Sequence, residues 1–433
     1  MKTVHEPSRE IPVARTTDVL VCGGGPAGIA AAFTARRAGA SVLLIERHPF
    51  LGGVWTAGAL TILIDTERKS GLNRKIVERL RKRSAVAFWK EFPEWPVYGV
   101  EAMKGVLDDM VDELDLDVQL YTNVAAVASE GRKVTGVFTE SKSGREFIDA
   151  KVVIDTTGDG DVAALAGCPF EMGRPGDGKM QPMTLYGRVG GYRGAPVHIE
   201  PILSIARSAG FEPSYGRVTL FEQPGQPGVF MLMATHKYGS AIDVRNLTRV
   251  EFEARREIRQ LVEILQKHGG PDWADAYLID TGPFIGVREG RRILGRYYLT
   301  YEDLECGRKF EDGICRVGFG VDIHHPDPEE GRGLKNMKTL PYDIPYRSLL
   351  AQGVDNLMMA GRCISGDHIA MASYRVTGDA VAMGEAAGLA AAIACETGVT
   401  PTEIDIAELR RRLEAARERE AASVAGHSRS PAI

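Results

Sequence analysis

Three glycines and one acid have the types and spacing needed to bind the phosphates and a ribose of a dinucleotide. The stretch "DVLVCGGGPAGIAAAFTARRAGASVLLIE" (18–46) contains the pattern G-x-G-x-x-G. Gly23 would allow a tight turn, Gly25 the close approach of the backbone to a pyrophosphate, and Gly28 the packing of a helix on a strand. Glu46 follows the next apolar run, where an acid can bind ribose hydroxyls. The stretch therefore predicts a bound dinucleotide.

Histidines offer the proton chemistry of a reaction near neutral pH, because their ordinary pKa lies there. "VDIHHPD" (321–327) contains two neighbouring histidines. Side chains alternate along an extended chain, so at most one of the two should face a pocket, and we choose His325. His368 lies in "SGDHIAMASYR" (365–375). We predict both as acid or base residues; the alternative for each is a structural histidine.

Arginines in "GVREGRRILGR" (286–296) could bind an anionic substrate. Arg288, Arg292 and Arg296 are spaced by four residues, so they would share one face if the stretch were helical. We predict Arg288 as a catalytic residue. The alternative is a solvated basic face.

A strand–helix–strand unit must hold the glycines in place. Residues 18–22 form a short apolar run, 26–38 are rich in alanine and end at Gly39, and 41–46 are apolar again. This order predicts a βαβ unit with a parallel sheet.

The same sheet is predicted to continue further along the chain. A helix is expected at 101–115, and the β-rich run 117–161 has turns at 130–131 and 143–144, which indicate a β-meander before the buried strand "KVVID". From about 168 the chain is rich in loops, with a helix at 249–268. Near 354 the apolar strand pattern returns and leads into a helix of small residues.

The predicted fold class is therefore α/β, with a Rossmann-like dinucleotide-binding domain of parallel sheet and β-meander. An α+β substrate or cap domain interrupts it. We assign 16–165 and 346–402 to the binding domain, 166–345 to the cap, and 403–433 to a C-terminal helix and tail.

Composition excludes several classes of protein. The 53 basic and 58 acidic residues give a net charge of −5 without a basic stripe, so no nucleic-acid partner is expected. No uninterrupted apolar run of membrane-spanning length and no apolar leader occur, so we expect no membrane partner and a cytoplasmic location. The six cysteines form no C-x-x-C pair, so neither a metal nor a redox dithiol is predicted.

Several motifs together resemble the FAD-dependent oxidoreductases with the glutathione-reductase-type fold. Besides the glycine turn, these are "GG" at 52–53, "DTTGDGD" (155–161) and "AGRCIS" (360–365). The last two are similar to "DATGDGD" and "AGR-C-S" of a bacterial branch. The match covers 18–165 and 340–400 well and is weaker between them. The resemblance implies that the cofactor is FAD.

The resemblance also implies which residues contact FAD. The first glycines and Glu46 would hold the ADP half, a segment near Val124 would meet adenine, and the segment after Arg362 would lie at the flavin ring. The full predicted set is Gly23, Gly25, Pro26, Ala27, Gly28, Glu46, Arg47, Gly52, Gly53, Val54, Val124, Thr157, Gly158, Asp159, Gly361, Arg375 and Val376. Asp159 has a plain turn residue as its alternative.

The predicted function is hydride transfer between flavin N5 and a small polar or anionic organic substrate, with a second electron donor or acceptor. A disulfide reductase is excluded because no dithiol is present. Three alternatives remain: an FAD-dependent monooxygenase, a flavin enzyme without net redox change, and a flavin-binding protein without turnover. The oligomeric state stays open.

Overall fold

The computed structural model describes residues 2–66, 69, 71–88, 94–195 and 200–427. The strands within these residues are β1 (Val13–Cys22), β2 (Val42–Ile45), β3 (Val86–Phe88), β4 (Pro96–Tyr98), β5 (Asp117–Gln119), β6 (Asn123–Glu130), β7 (Lys133–Ser141), β8 (Gly144–Asp155), β9 (Phe170–Met172), β10 (Tyr186–Gly190), β11 (Thr219–Glu222), β12 (Phe230–Met233), β13 (Tyr277–Thr281), β14 (Arg291–Ile293), β15 (Gly313–Val317), β16 (Val321–His324), β17 (Leu334–Met337), β18 (Tyr342–Pro345) and β19 (Leu357–Met359). The helices are α1 (Pro26–Arg37), α2 (Gly71–Lys82), α3 (Val100–Leu114), α4 (Asp161–Leu165), α5 (Glu200–Ser208), α6 (Val244–His268), α7 (Tyr301–Glu305), α8 (His368–Tyr374), α9 (Thr377–Thr397) and α10 (Ile406–His427).

The larger sheet confirms the predicted fold class. Its strand order is β5-β2-β1-β8-β7-β6, and β19 pairs with β8. The strands β5, β2, β1, β8 and β19 run parallel, whereas β6, β7 and β8 form the antiparallel meander. In the register, Cys22 lies opposite both Ile45 and Asp155. The segments that follow these three strands therefore begin side by side at one edge of the sheet.

Two helices with small side chains cover the sheet at this edge. α1 packs against α9, where glycines allow the backbones to touch. A Cβ atom added at Gly384 would lie 2.1 Å from the carbonyl oxygen of Ala27, and one at Gly388 would lie 2.2 Å from that of Ala31. α9 is long and apolar enough to cross a membrane, but 94% of its apolar window is buried inside the protein. Its composition is accounted for by this packing.

A second hydrophobic core lies in the cap. It is built around the antiparallel sheet β11-β12-β10-β13 and the helices α5 and α6, from residues between Met180 and Ile285. Side chains from Ile293 to Leu350 belong to the larger core instead. The last part of the predicted cap interval 166–345, from Ile293 onward, therefore packs with the binding domain.

The chain enters and leaves the cap through a pair of short strands. β9 and β14 pair antiparallel, with Phe170 opposite Ile293 and Met172 opposite Arg291. The residues between them make up the cap sheet and its helices. This two-stranded neck joins the cap to the larger domain.

The contact between α1 and α9 generates a stability prediction. Gly388→Ala should lower the free energy of unfolding by roughly 2 kcal/mol, because the added methyl group meets a backbone oxygen that cannot turn away. Alanine is favoured over glycine in a helix by up to about 1 kcal/mol, so a net loss of stability must come from the close contact.

Urea unfolding of Gly388→Ala against Gly333→Ala measures the effect. Gly333 has no atom within 4 Å of an added Cβ, so its variant should stay within about 0.5 kcal/mol of the wild type. Equal stability of the two variants would contradict the packing argument.

Candidate cofactor and substrate site

One large cavity of about 630 Å³ lies where the larger sheet, α9 and the cap meet. Its wall begins at the glycine turn after β1 and reaches across to the cap sheet and the β16–β17 hairpin. Ligands of open α/β sheets bind beyond the carboxyl ends of the strands, which is where this cavity lies.

The glycine turn is held in place by Glu46. One carboxylate oxygen of Glu46 accepts a hydrogen bond from the Gly24 amide at 2.6 Å, and the other accepts one from the His48 amide at 2.8 Å. Gly23 adopts a φ of +106°, and a Cβ there would lie 2.6 Å from the Thr156 carbonyl oxygen. Glu46 therefore orders the turn and presents its carboxylate to the cavity.

The start of α1 faces the same cavity, and no side chain caps the N–H groups of its first turn. Gly25 is the N-cap residue, and no side chain caps the helix. A Cβ atom added at Gly25 would meet nothing within 4 Å, so open space lies beside this backbone. Uncapped N–H groups and the positive end of a helix dipole bind phosphate. This geometry fits the pyrophosphate of a dinucleotide.

A second helix start points to a ligand on the opposite side. α9 begins at Thr377, which lines the cavity. Its hydroxyl is buried and has no hydrogen-bond partner among the described residues. Buried polar atoms are nearly always paired, so this hydroxyl fits a hydrogen bond to a bound group. Both ends of the cavity thus fit a bound FAD.

Most of the predicted cofactor residues line this cavity. They are Gly23, Gly25, Pro26, Ala27, Glu46, Arg47, Gly53, Val54, Val124, Thr157, Gly158, Asp159, Gly361, Arg375 and Val376. Gly28 and Gly52 do not line it. Gly28 lies against the turn, where an added Cβ would be 1.8 Å from the Gly23 oxygen, and the Gly52 amide donates to the Gly24 oxygen at 2.8 Å. Both act by shaping the turn rather than by touching the cavity.

The "DTTGDGD" loop is ordered by its own acids. Buried Asp155 accepts hydrogen bonds from Thr157 and from the Ala163 amide, and burial raises its pKa to about 6. Asp159 pairs with Arg362 at 2.7 Å, and both line the cavity. Asp161 pairs with Arg291. Asp159 thus lies at the cavity while also fixing an arginine of the "AGRCIS" segment.

The condition under which Arg288, Arg292 and Arg296 would share one face, a helix over 286–296, is not met. The structure has irregular chain and then β14 there, because Arg291–Ile293 pairs with β9. Arg292 is buried in an ion pair with Glu289, and Arg296 pairs with Asp355 on the surface. Only Arg288 of the three lines the cavity, where one guanidinium nitrogen donates to the Pro182 oxygen and the Thr184 hydroxyl, each at 2.7 Å.

Of the neighbouring pair His324 and His325, it is His324 that lines the cavity. The alternation holds, but the register of β16 against β17 turns His324 inward. Its Nε2 lies 3.2 Å from the Asp322 carboxylate, and its Nδ1 lies 3.0 Å from Nε2 of the buried His236. His325 is half-buried near Gly331 and does not line the cavity. The choice of His325 is therefore corrected.

The charges around His324 fix its protonation. Burial, aided by the charge of Arg288, lowers its pKa to about 3, although Asp322 opposes this. Burial alone would raise the pKa of Asp322, but the hydrogen bond from His324 and the nearby arginines hold it well below its usual range. An ionised carboxylate must accept, so Nε2 of His324 carries the proton and Nδ1 accepts from His236. The hydrogen bonds thus run from His236 through His324 to Asp322.

His368 is also placed away from the cavity. It is the first residue of α8, and its Nδ1 lies 2.9 Å from the buried carboxylate of Glu289. Burial alone would raise the pKa of Glu289, but hydrogen bonds from His368 and the Gln181 amide, with the charge of Arg292, lower it. This cluster ties the cap to α8, so the structure supports the structural alternative for His368.

Arg375 lies between the two helix starts and the cap. Its guanidinium donates to the carbonyl oxygens of Arg288 at 3.0 Å and Asp322 at 2.9 Å, and lies 4.0 Å from the Asp322 carboxylate. Burial lowers its pKa to about 10, so it stays charged at neutral pH. Its charge partner is Asp322, because Asp379 binds Lys69 and Asp367 caps α8.

The cavity residues that were not predicted from the sequence include Tyr215 and Phe319. Tyr215 is buried, lines the cavity, and stacks on His236 with ring centroids 3.9 Å apart. Trp95 and Phe319 line an apolar part of the wall and contact each other. These residues lie in loops far apart in sequence, and no local spacing connects them.

Gly25→Val should yield folded protein with little bound FAD. The valine side chain would enter open space in the protein but would fill the room beside the helix start. Flavin absorbance relative to protein absorbance, with far-UV circular dichroism, measures both effects. Gly23→Val is the contrasting variant and should fail to fold properly because its φ is left-handed. A Gly25→Val protein with a full complement of FAD would refute this site.

The protein should become less stable as the pH falls below 6.5. The reason is that His324 then binds a proton in the unfolded chain but not in the folded protein. The unfolded histidine takes up a proton near pH 6.5, whereas folded His324 resists it down to about 3. Between pH 6.5 and 4.5 this one group should remove roughly 2 kcal/mol.

The variant His324→Gln should therefore show a smaller loss over that interval by urea unfolding. His236, whose pKa is also lowered by burial and by Arg288, would account for part of the slope that remains. Identical pH dependence in variant and wild type would contradict the assigned protonation.

Comparison with known proteins agrees with this architecture. A crystal structure of a geranylgeranyl bacteriochlorophyll reductase-like protein from Thermoplasma acidophilum is 16% identical, with a TM-score of 0.51 over 93% of this chain and 83% of that one. A p-nitrophenol 4-monooxygenase from Pseudomonas putida is 13% identical, with a TM-score of 0.51 over 94% and 88%. At these identities the likeness shows the fold alone.

The sequence comparisons give a short match to a curated relative and a long match to a family model. Forty-three residues are 49% identical to thiamine thiazole synthase from Aeropyrum pernix, and this match covers 10% of the chain but only 16% of that relative. The family model described as FAD dependent oxidoreductase matches residues 18–413. With the cavity geometry, this match makes FAD the cofactor. The chain therefore belongs to the FAD dependent oxidoreductase family.

Proposed function

We propose that this enzyme transfers a hydride between a small polar or anionic organic substrate and N5 of the flavin. The observation that carries the proposal is the continuity of one cavity from the glycine turn to Arg288 in the cap. FAD, when bound, supplies the hydride donor or acceptor. The chain's own residues bind the substrate, orient it and adjust the charge around it.

Arg288 is the substrate-binding residue of the proposal. One of its guanidinium nitrogens is held by Pro182 and Thr184, which fixes the side chain in direction. Its other N–H groups have no acceptor among the described residues. A fixed guanidinium with free donors is well suited to a carboxylate or another planar anion.

Arg375 and the start of α9 are proposed to stabilise negative charge on the reduced cofactor. Arg375 keeps its charge in a buried position, and Asp322 offsets only part of it because the two groups are 4.0 Å apart. The start of α9 adds about half a positive charge. Cytoplasmic location and the electron partner stay predictions, and the oligomeric state stays open.

The two alternative flavin reactions, monooxygenation and a reaction without net redox change, differ from hydride transfer in whether electrons and oxygen are consumed. Some proteins of this fold are monooxygenases by name, such as the p-nitrophenol 4-monooxygenase. A monooxygenase would consume oxygen with NAD(P)H, and more of it with substrate. An enzyme without net redox change would consume no electrons.

Anaerobic reduction of the FAD-loaded enzyme against a library of organic acids and neutral analogues tests the proposal. We expect an organic anion to bleach the flavin absorbance, or to reoxidise flavin reduced beforehand, at a rate comparable with turnover. NADH and NADPH alone should react slowly, since the sequence has one dinucleotide pattern in suitable context. Oxygen consumption that requires NAD(P)H and rises with substrate would instead assign a monooxygenase.

A further inference from the structure

The cap side of the cavity combines one anion-binding end with an apolar wall. The polar end contains Arg288 and Tyr215, and the apolar wall consists of Leu60, Ile62, Trp95, Phe221, Met233 and Phe319. Ile62 and Phe221 belong to a hydrophobic cluster separate from the two large cores, with Leu60, Trp95 and Met233 packed against it. A ligand that satisfies both parts must have two chemically different ends.

Tyr215 supplies a hydrogen-bond donor at the polar end. No hydrogen bond joins its hydroxyl to another residue in the part of the chain that the structure describes. Burial raises its pKa, although the charge of Arg288 opposes this, so the hydroxyl keeps its proton at neutral pH. The stacking on His236 fixes the ring. A fixed, protonated and unpaired hydroxyl at a cavity wall is a donor for a ligand oxygen.

The charge balance at this end favours a single negative charge. Arg288 and Arg375 are positive, Asp322 is negative, and His324 and His236 are neutral because their pKa values are lowered. One net positive charge remains. The exposed Arg217 lies at the cavity wall and forms no ion pair within the described residues, so it adds attraction that solvent screens.

The apolar wall excludes a substrate that is polar throughout. Hydroxyl or phosphate groups against these side chains would lose water without gaining hydrogen bonds. An aromatic or branched hydrocarbon body would bury apolar surface there. The wall therefore selects the body of the ligand, whereas Arg288 and Tyr215 select its charged end.

We propose that the substrate is a monocarboxylate with an apolar body, whose carboxylate binds Arg288 and Tyr215 while its body lies against the apolar wall. This inference rests on the proposed function and names the substrate class of the same site. It refers to binding, so it can be tested without turnover.

Binding of three probes to the oxidised, FAD-loaded enzyme provides the test. Phenylacetate, acetate and phenylacetamide are titrated while flavin absorbance changes and heat are recorded. Phenylacetate should bind about tenfold or more tightly than acetate, because the ring buries apolar surface. It should also bind about tenfold or more tightly than the neutral amide, which cannot form charge-assisted hydrogen bonds.

Variants assign the effect to the named side chains. Tyr215→Phe should weaken phenylacetate binding about three- to tenfold, and Arg288→Met about tenfold or more. Arg296→Met is the matched control, since Arg296 pairs with Asp355 away from the cavity, and it should bind as the wild type does. Flavin content and circular dichroism verify folding; if Arg288→Met does not fold, Tyr215→Phe decides, because it removes one hydroxyl.

The outcomes separate this inference from the proposed function. Equal affinity for acetate and phenylacetate would mean that the apolar wall covers only the cofactor, and would overturn the inference. Wild-type affinity in folded Tyr215→Phe and Arg288→Met would overturn it as well. Binding as expected, with no carboxylate able to reduce or reoxidise the flavin, would overturn hydride transfer and leave the ligand class standing.

Discussion

The site depends on one constraint: the parallel strands β1, β2 and β8 end at the same level of the sheet. Cys22 lies opposite Ile45 and Asp155, and backbone hydrogen bonds continue past the strands from the Gly23 amide to Ile45 and from the Thr156 amide to Cys22. This register brings the glycine turn, Glu46 and the "DTTGDGD" loop to one edge. A slip of any one strand would separate them, because side chains alternate along a strand.

The binding domain could be predicted because its signals are local. The glycine turn, the alanine-rich helix and the two meander turns each lie within a few residues. The structure ends α1 one residue before the expected limit, and β6, β7 and β8 meet at the two predicted turns. The parallel pairing followed from the βαβ order, since a helix crossover joins parallel neighbours. Most predicted cofactor residues line the cavity for the same reason.

The cap side could not be predicted because its contacts are distant in sequence. Tyr215 meets His236, and His236 meets His324 across 88 residues. The period of two showed that one histidine of the pair faces inward, but only the pairing of β16 with β17 decides which. The spacing of Arg288, Arg292 and Arg296 did not distinguish them, and Arg288 lies at the cavity where irregular chain leads from the cap sheet into β14.

The ionisable side chains on the cap side of the cavity neither gain nor lose protons near neutral pH. His324 and His236 resist protonation, Asp322 resists neutralisation, and Arg375 keeps its proton despite burial. The polar end of the cavity therefore has the same charge over a wide pH interval. A site of this kind keeps its affinity for an anion constant while the pH around it changes.

Because of the two-stranded neck, the cap is a single segment inserted between two neighbouring points of the larger domain. Because β9 and β14 pair with each other, the chain leaves the larger domain and returns to it at neighbouring points. Nothing in the register of the seven-stranded sheet depends on how long the intervening segment is. An ancestral enzyme could exchange one cap for another by a single insertion between these strands and still bind the same cofactor. Such an exchange would change the residues on the cap side of the cavity and leave the glycine turn in place.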